Sequence, residues 1–271
     1  MTDYSLYIVA TPIGNLKDIS QRAVETLEIV DCILCEDTRV SEKLLRAIGI
    51  SGKKLIVYND YTASKIIDRI IHGIISEKLK FALISDAGMP LISDPGYKLI
   101  QSCIENKVSY TVVPGASSVL SALVLSGMPS NNFMFCGFVN PRKLEVLSKA
   151  NTTLVMFEST SRIAKTISQI AKFFDNRKIA IVREITKIHE EVIIGKASEL
   201  IERLAENPIR GEAVIVIEPP IDINSDNTLS EHKDLIMDLR ERISDSELST
   251  IISKHLKISR NSVYNFIKSC L

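Results

Sequence analysis

No stretch of the 271-residue chain stays apolar for the ~20 residues that a membrane helix needs, so the sequence predicts no membrane partner. Its charge leans neither way: 33 Lys and Arg stand against 33 Asp and Glu. That balance argues against a surface that binds polyanions everywhere, but leaves a local basic patch open. Cysteine is scarce, odd in number and scattered, at 32, 35, 103, 136 and 270. Reduced thiols in a cytoplasmic protein fit this usage better than a disulfide framework. Cys32 and Cys35 form one C-x-x-C, but it lies in the apolar stretch DCILCED with no second pair. Two thiols packed in a core are expected there rather than zinc. The opening residues MTDYSLYIVATP lack a basic region and enter a strand at once, so no secretory leader is expected.

Several chemistries are missing by motif. There is no G-x-x-x-x-G-K-[ST] and no G-x-G-x-x-G after the first strand, where the loop reads TPIGN. The nucleophile elbow G-x-S-x-G is absent too. The four His, at 72, 189, 232 and 255, have no companion at metal-ligand spacing, so no metal is expected.

What is present is organised around FALISDAGMPLISDPGY, residues 81–97. An apolar run of strand length breaks into two Asp-bearing turns punctuated by Gly and Pro. Gly admits positive φ and close approach, and Pro fixes φ and removes a donor. Such turns just past the carboxyl end of a strand are where an open α/β sheet holds a small ligand.

Five short apolar runs, at 6–10, 32–35, 55–58, 81–84 and 110–113, alternate with helical patterns of about ten residues. Asp18 or Ser20 can cap the first helix and Gly49 can close the second. This alternation predicts right-handed crossovers and a five-stranded parallel sheet. Pro114-Gly115-Ala116-Ser117-Ser118 ends the fifth strand and opens another helix, whose first N–H groups are available to an acceptor. After Met128 the pattern changes. Strands are expected at 133–139, 153–157, 179–183, 191–194 and 213–218, with a helix over 162–174. The short 183–191 connection implies an antiparallel pair. A polar, Pro-led linker (219–228) precedes three helical patterns. The last two resemble a helix-turn-helix around 257–259, and from Thr250 onward there are Lys and Arg but no acid. The expected architecture is α/β, with two α/β domains enclosing a cleft and a small helical tail. The first domain (1–115) carries the parallel sheet and the second (116–222) a mixed sheet; linker and tail span 223–271.

The segments LYIVATPIGNL, EDTR, LISDAGMPLISDPGY, VVPGASS, VMFEST, REITKIHEE and RGEAVIVIE follow one another in this order. Together they resemble the bacterial 2′-O-ribose methyltransferases of small-subunit rRNA, within the tetrapyrrole-methylase superfamily of class III S-adenosylmethionine enzymes. The resemblance spans 6–218, and the helical tail is similar to an extension in many members. The segment after GFVNPRK is shorter and less basic than in many of them, and SDAGMP stands where SDAGTP is usual. The resemblance implies S-adenosylmethionine as cofactor and a cytidine ribose of 16S rRNA in the small ribosomal subunit as methyl acceptor. It also implies a homodimer. By matching position, it assigns cofactor binding to Pro12, Ala87, Gly88, Met89, Ile92, Ser117, Ser118, Glu158, Ile185 and Thr186.

A ribose hydroxyl is a weak nucleophile, so a base or a cation near the developing alkoxide is required. The polar rim supplies candidates at Asn15, Glu36, Asp37, Arg39, Asp86, Arg183, Glu184, Lys187, His189 and Glu190. Lys187 is expected to lower the hydroxyl pKa and Asp37 or Glu184 to take its proton, with Arg39 beside them. A structural role, such as an Asp37–Arg39 pair capping the next helix, competes at each position. Two other functions stay open at this stage: methylation of a corrin or porphyrin carbon, and a non-catalytic ribosome-assembly factor that binds RNA.

Overall fold

The computed structural model describes residues 4–174, 176–220, 229–256 and 258–270. The chain divides into two compact units, Met1–Pro219 and Pro220–Leu271.

The first unit opens with a five-stranded parallel sheet. Its strands are β1 (Leu6–Val9), β2 (Cys32–Cys35), β3 (Lys54–Val57), β4 (Phe81–Leu83) and β5 (Tyr110–Val113), in the order β3-β2-β4-β1-β5. Strands β1, β2 and β4 are buried along their whole length, which is why they read as unbroken apolar runs. Alternate residues serve opposite faces. Leu6, Cys32, Leu34, Phe81 and Leu83 pack under α3 (Asp60–Ser76) and α4 (Tyr97–Glu105). Tyr7, Val9, Ile33, Cys35 and Ala82 pack under α1 (Gln21–Ile29) and α2 (Thr38–Ala47). Cys32 and Cys35 therefore do not pack together. Three residues apart on a strand, they point to opposite faces, each buried in a different core.

Adjacent central strands β1 and β4 send their helices to opposite faces, α1 to one and α4 to the other. This is the topological switch point, where such sheets leave a crevice beyond their carboxyl ends. The helices start where side chains satisfy free N–H groups: Ser20 accepts from Ala23 N, Asp37 from Arg39 N and Asn59 from Thr62 N. Gly49 and Gly127 close α2 and α5 with φ of 84° and 64°.

Helix α5 (Ser118–Ser126) crosses to a second sheet, of order β6-β7-β10-β8-β9. Its strands are β6 (Phe133–Phe138), β7 (Thr153–Ser159), β8 (Ile179–Arg183), β9 (Glu191–Gly195) and β10 (Glu212–Ile217). Strand β6 runs parallel to β7 and the remaining pairs are antiparallel. Helices α7 (Thr160–Ile170) and α8 (Ala197–Glu206) cover one face of this sheet. Helix α5 covers the other, together with Ile13 from the loop after β1. A short helix α6 (Leu144–Leu147) follows β6. Helix α7 begins two residues earlier than the sequence pattern suggests and ends at Ile170. The next residues tighten into i→i+3 bonds such as Phe173 N to Ile170 O (3.0 Å).

The second unit holds α9 (Lys233–Arg240), α10 (Asp245–Leu256) and α11 (Arg260–Ser269) around Leu229, Ile236, Leu248, Ile252, Ile258, Val263 and Ile267. Lys257, in the expected turn, and most of the 219–228 linker lie outside the described residues. Among the described residues no helix is long and apolar enough to cross a membrane.

Candidate functional site

Four loops converge at the switch point. The loop after β1 is stitched to the first turn after β4: Thr11 N donates to Gly88 O (2.8 Å) and Gly88 N returns to Thr11 O (3.1 Å). The buried Thr11 hydroxyl donates to Ser85 O (3.1 Å). Gly88 has φ +83°, and a Cβ there would press on Ile13 Cγ2 at 3.2 Å and face Ala116 O at 3.8 Å. The PGASS turn before α5 is the third partner, and Ser117 caps α5 by accepting from Leu120 N (3.4 Å). The β8–β9 loop is the fourth. Asn15 N donates to Thr186 Oγ1 (3.0 Å), and Ile185 is buried beside Ile13. Gly14 lies so close to this loop that a Cβ would sit 2.6 Å from Lys187 Cγ and 2.8 Å from Ile185 O.

Backbone strain concentrates here. Among the described residues seven non-glycine residues have positive φ, and four of them, Leu91, Ser93, Glu184 and Thr186, belong to these loops. Each costs on the order of 1 kcal/mol and persists only where its surroundings over-determine it, a mark of ligand clamps and active sites.

The structure thus brings together the loops holding Pro12, Ala87, Gly88, Met89, Ser117, Ser118, Ile185 and Thr186. Ile92, on the outer turn, is 44% exposed, and Ser93 beside it faces Gly137 of β6, whose added Cβ would be 3.9 Å from Ser93 Oγ. Glu158 is set apart. Along β7, Leu154 and Met156 face α7 and α8 while Val155 and Phe157 face α5, so Glu158 shares the α7 side. Its buried carboxylate accepts from Ser159 N (2.8 Å), Arg162 Nε (2.9 Å) and Thr166 Oγ1 (2.7 Å). The side chain thus braces the start of α7.

The ionisable candidates form two groups. Lys187 Nζ lies 3.1 Å from Glu184 Oε1 and 2.8 Å from Glu212 Oε2. Burial works to lower its pKa, but the bonds to Glu212 and Glu184 outweigh burial and raise it. Glu184 is held below its ordinary range by the Glu212 N–H, with Lys187 adding to this against burial. Lys187 is therefore a fixed cation and Glu184 a fixed anion. Arg183 is tied elsewhere, to Glu191 (2.8 Å) and Arg210 O (3.0 Å). Glu190 accepts from Thr186 N (2.7 Å), which shapes the loop.

The second group is acidic. Asp37 caps α2 and chelates Arg39, whose Nη2 lies 2.6 Å from Oδ2; the Arg39 bonds hold Asp37 at about 2. Asp86 accepts from the Asp37 N–H, yet burial and the Asp37 charge leave its pKa raised. Asp94 is raised by burial, against a hydrogen bond from Ser85 and with the Asp86 charge adding. In this group burial thus raises Asp86 and Asp94, while the Arg39 bonds depress Asp37.

Sequence reasoning missed Thr11, Ser85 and Asp94, which organise the central turn. It missed also the edge-to-face aromatics Phe135–Phe157 (4.9 Å) and Phe138–Phe157 (5.6 Å) beside the α5 face. The alternation of β7 places Phe157 on the α5 face and Glu158 on the α7 face.

The loops fit an adenosyl donor. Main chain at Ala87, Gly88 and Ala116 is free of bulky side chains, Ile92 supplies exposed apolar surface, and the free N–H groups of α5 can meet an acceptor. Two cavities, of about 190 Å³ beside Cys32 and Phe81 and about 330 Å³ beside Ser5 and Ser109, lie instead at the amino ends of the strands, away from these loops.

A model of the family described as Tetrapyrrole (Corrin/Porphyrin) Methylases matches residues 5–201. The chain is 42% identical to a Ribosomal RNA small subunit methyltransferase I of Rickettsia prowazekii, over 81% of this chain and 80% of that one. A protein of that name from Thermotoga maritima is 42% identical over 78% of this chain and 97% of its own length. Another, from Haemophilus influenzae, is 38% identical over 98% of both. Among solved structures, uroporphyrin-III-C-methyltransferase from Thermus thermophilus superposes with a TM-score of 0.57 at 19% identity, covering 78% of this chain and 93% of that one. A diphthine synthase superposes with a TM-score of 0.61 at 13% identity, covering 79% and 89%.

Proposed function

Because the chain belongs to the tetrapyrrole methylase family, and is most of the way along its length akin to small-subunit rRNA methyltransferases, we propose that it methylates the ribose 2′-hydroxyl of a cytidine in 16S rRNA. The observation that carries this reading is the identity with rRNA methyltransferases that continues through the helical tail. A ring-methylating enzyme has no use for such a tail, and the likeness to the porphyrin enzymes is one of fold.

S-adenosylmethionine, bound against the switch-point loops, supplies an electrophilic methyl group on a sulfonium. Pro12, Gly88, Ala87, Met89 and Ile92 shape its seat, Ser117 and Ser118 offer hydroxyls and helix N–H groups, and Ile185 and Thr186 close it from the second sheet. Glu158 acts through Arg162 and the start of α7 rather than by contact. Lys187 stands as the cation that stabilises charge on the ribose oxygen, held in place by Glu184 and Glu212. Asp86, with its raised pKa and its link to Asp37, joins Asp37 and Arg39 as a group near the proton to be removed. The main catalytic contribution is alignment of oxygen, methyl and sulfur.

The chain works as a cytoplasmic homodimer on the small ribosomal subunit. Exposed apolar residues support a partner surface: Leu120 and Val124 on α5, and Phe133, Met134 and Phe138 on edge strand β6. Incubation with labelled S-adenosylmethionine and small subunits from a strain lacking the gene tests the reading. Label is expected at a cytidine ribose of the rRNA. Label only in a tetrapyrrole, or none, would overturn it.

A further inference from the structure

Strand β6 carries one irregularity. Its pairing with β7 runs Phe133 to Thr153, Met134 to Leu154 and Phe135 to Val155, then resumes with Phe138 opposite Phe157. One extra residue has entered β6 at Cys136–Gly137, where Gly137 takes φ +68°. A bulge of this kind re-aims the side chains beyond it. In unbroken register Phe138 would pair with Glu158, on the side that α7 covers, because a slip of one residue changes the face. With the bulge, Phe138 shares the α5 side with Phe157.

The re-aimed ring stands at the site. Phe138, Phe157, Val214 and Val182 form one row across the sheet, and β8 runs on from that row into Ile185 and Thr186. Gly137, beside Phe138, lies against Ser93 of the strained outer turn, next to Ile92. Phe138 is 59% exposed, so burial does not account for an aromatic residue here. The ring is nonetheless braced. Phe157 meets it edge-to-face at 5.6 Å, and Phe135 backs Phe157 at 4.9 Å. Phe133 and Met134 are also exposed, but they precede the bulge, at the other end of the strand. A fixed, exposed aromatic ring is how proteins hold an unstacked base of RNA. We propose that the base of the target cytidine stacks on Phe138, which fixes the attached ribose for in-line transfer. The proposal rests on the rRNA reading and adds what holds the acceptor nucleotide. The adenine of S-adenosylmethionine is the other flat ring that could stack there, and the test separates the two.

With unmethylated small subunits, Phe138→Ala and Phe138→Leu should both lower kcat/KM by about tenfold, the loss of one stacked base. Phe138→Tyr and Phe138→Trp keep a ring and should stay within about threefold of the unaltered chain. Calorimetric affinity for S-adenosylmethionine should be unchanged in all four. The chain has no Trp, so Phe138→Trp is also a single fluorescent reporter, and S-adenosylmethionine should leave its emission unaltered. Quenching by S-adenosylmethionine, with weakened uptake by Phe138→Ala, would assign the ring to adenine and overturn the proposal. Full activity of Phe138→Leu would overturn it too, since apolar bulk alone would then suffice. So would a Phe138→Ala chain that elutes as a smaller species than the unaltered one, which would make the ring a subunit contact. If the unaltered chain labels no rRNA, the functional reading fails first and the stacking site with it.

Discussion

Gly14 sits where the loop after β1 meets the β8–β9 loop. It has ordinary backbone, so its role is space: a Cβ would collide with main-chain Ile185 O as well as with Thr186 and Lys187. A flexible side chain could swing away, but the carbonyl oxygen cannot. Overpacking of this kind costs about 1–3 kcal/mol and moves the backbone. Gly14→Ala is therefore expected to weaken S-adenosylmethionine uptake at least tenfold in calorimetry, with a lower melting temperature. Lys187 invites a different test. It is partly exposed and doubly paired, so its loss should barely change stability. If it stabilises the ribose oxygen, Lys187→Ala should lower kcat by about 10²-fold with little change in KM, by analogy with removal of one oxyanion donor. Lys187→Arg should recover part of that activity. An alanine variant with unchanged turnover would return Lys187 to a purely structural role.

At the level of elements, the two loops that bracket the site respond to acid with opposite signs. In the β8–β9 loop and its flanks, the Glu212 N–H and Lys187 depress Glu184, and Arg183 depresses Glu191. A carboxylate depressed in the fold contributes stability that is present above its ordinary value, near 4.5, and lost as pH falls through the folded value. In the turns after β4, burial raises Asp86 and Asp94. Their ionisation costs stability at neutral pH, and that cost lifts as pH falls through their raised values toward the ordinary 3.8. Asp94→Asn should thus raise the melting temperature at pH 7 and leave it unchanged near pH 3. Glu184→Gln should lower it at pH 7 and flatten the acid slope. Thermal melts across pH 3 to 7 would separate the two. The physics of these elements also decides what the sequence made legible. Buried parallel strands and the Gly/Pro turn after β4 announce themselves, because apolar runs and special φ leave compositional marks. Glu158, Thr11 and Asp94 did not. Whether a polar side chain faces a ligand or braces its own helix depends on strand parity and on partners far along the chain. The C-x-x-C pair misled for the same reason: spacing of three places two thiols on opposite faces of a strand.

For the whole molecule, the question is what the helical unit adds. Among the described residues, the cores of the first unit are built of its own side chains, and the tail has one of its own around Leu248, Ile252 and Val263. One relative aligns over 97% of its own length while covering 78% of this chain. Removal of 220–271 should therefore leave the first unit folded and its S-adenosylmethionine affinity within about twofold, since a unit with its own core stands by itself. Its charge pattern says how the tail would meet RNA. Asp245 binds Arg240 (2.8 Å) and Lys268 (2.9 Å), and Lys268 also lies over the Tyr264 ring (5.6 Å). The single charge of Asp245 is thus shared by two cations and offsets one of them, and Arg260 bonds the neutral Ser246 (2.8 Å). The remaining Lys and Arg share the unit with Glu231, Asp234, Asp238, Glu241 and Glu247, so the tail should act as a modest anchor. The truncated chain should show a KM for small subunits raised a few-fold, a salt slope lower by about 1 to 2, and an unaltered kcat. Steady-state methylation at several salt concentrations, beside the full chain, measures all three. A collapse of kcat on truncation would show instead that the tail helps to build the site.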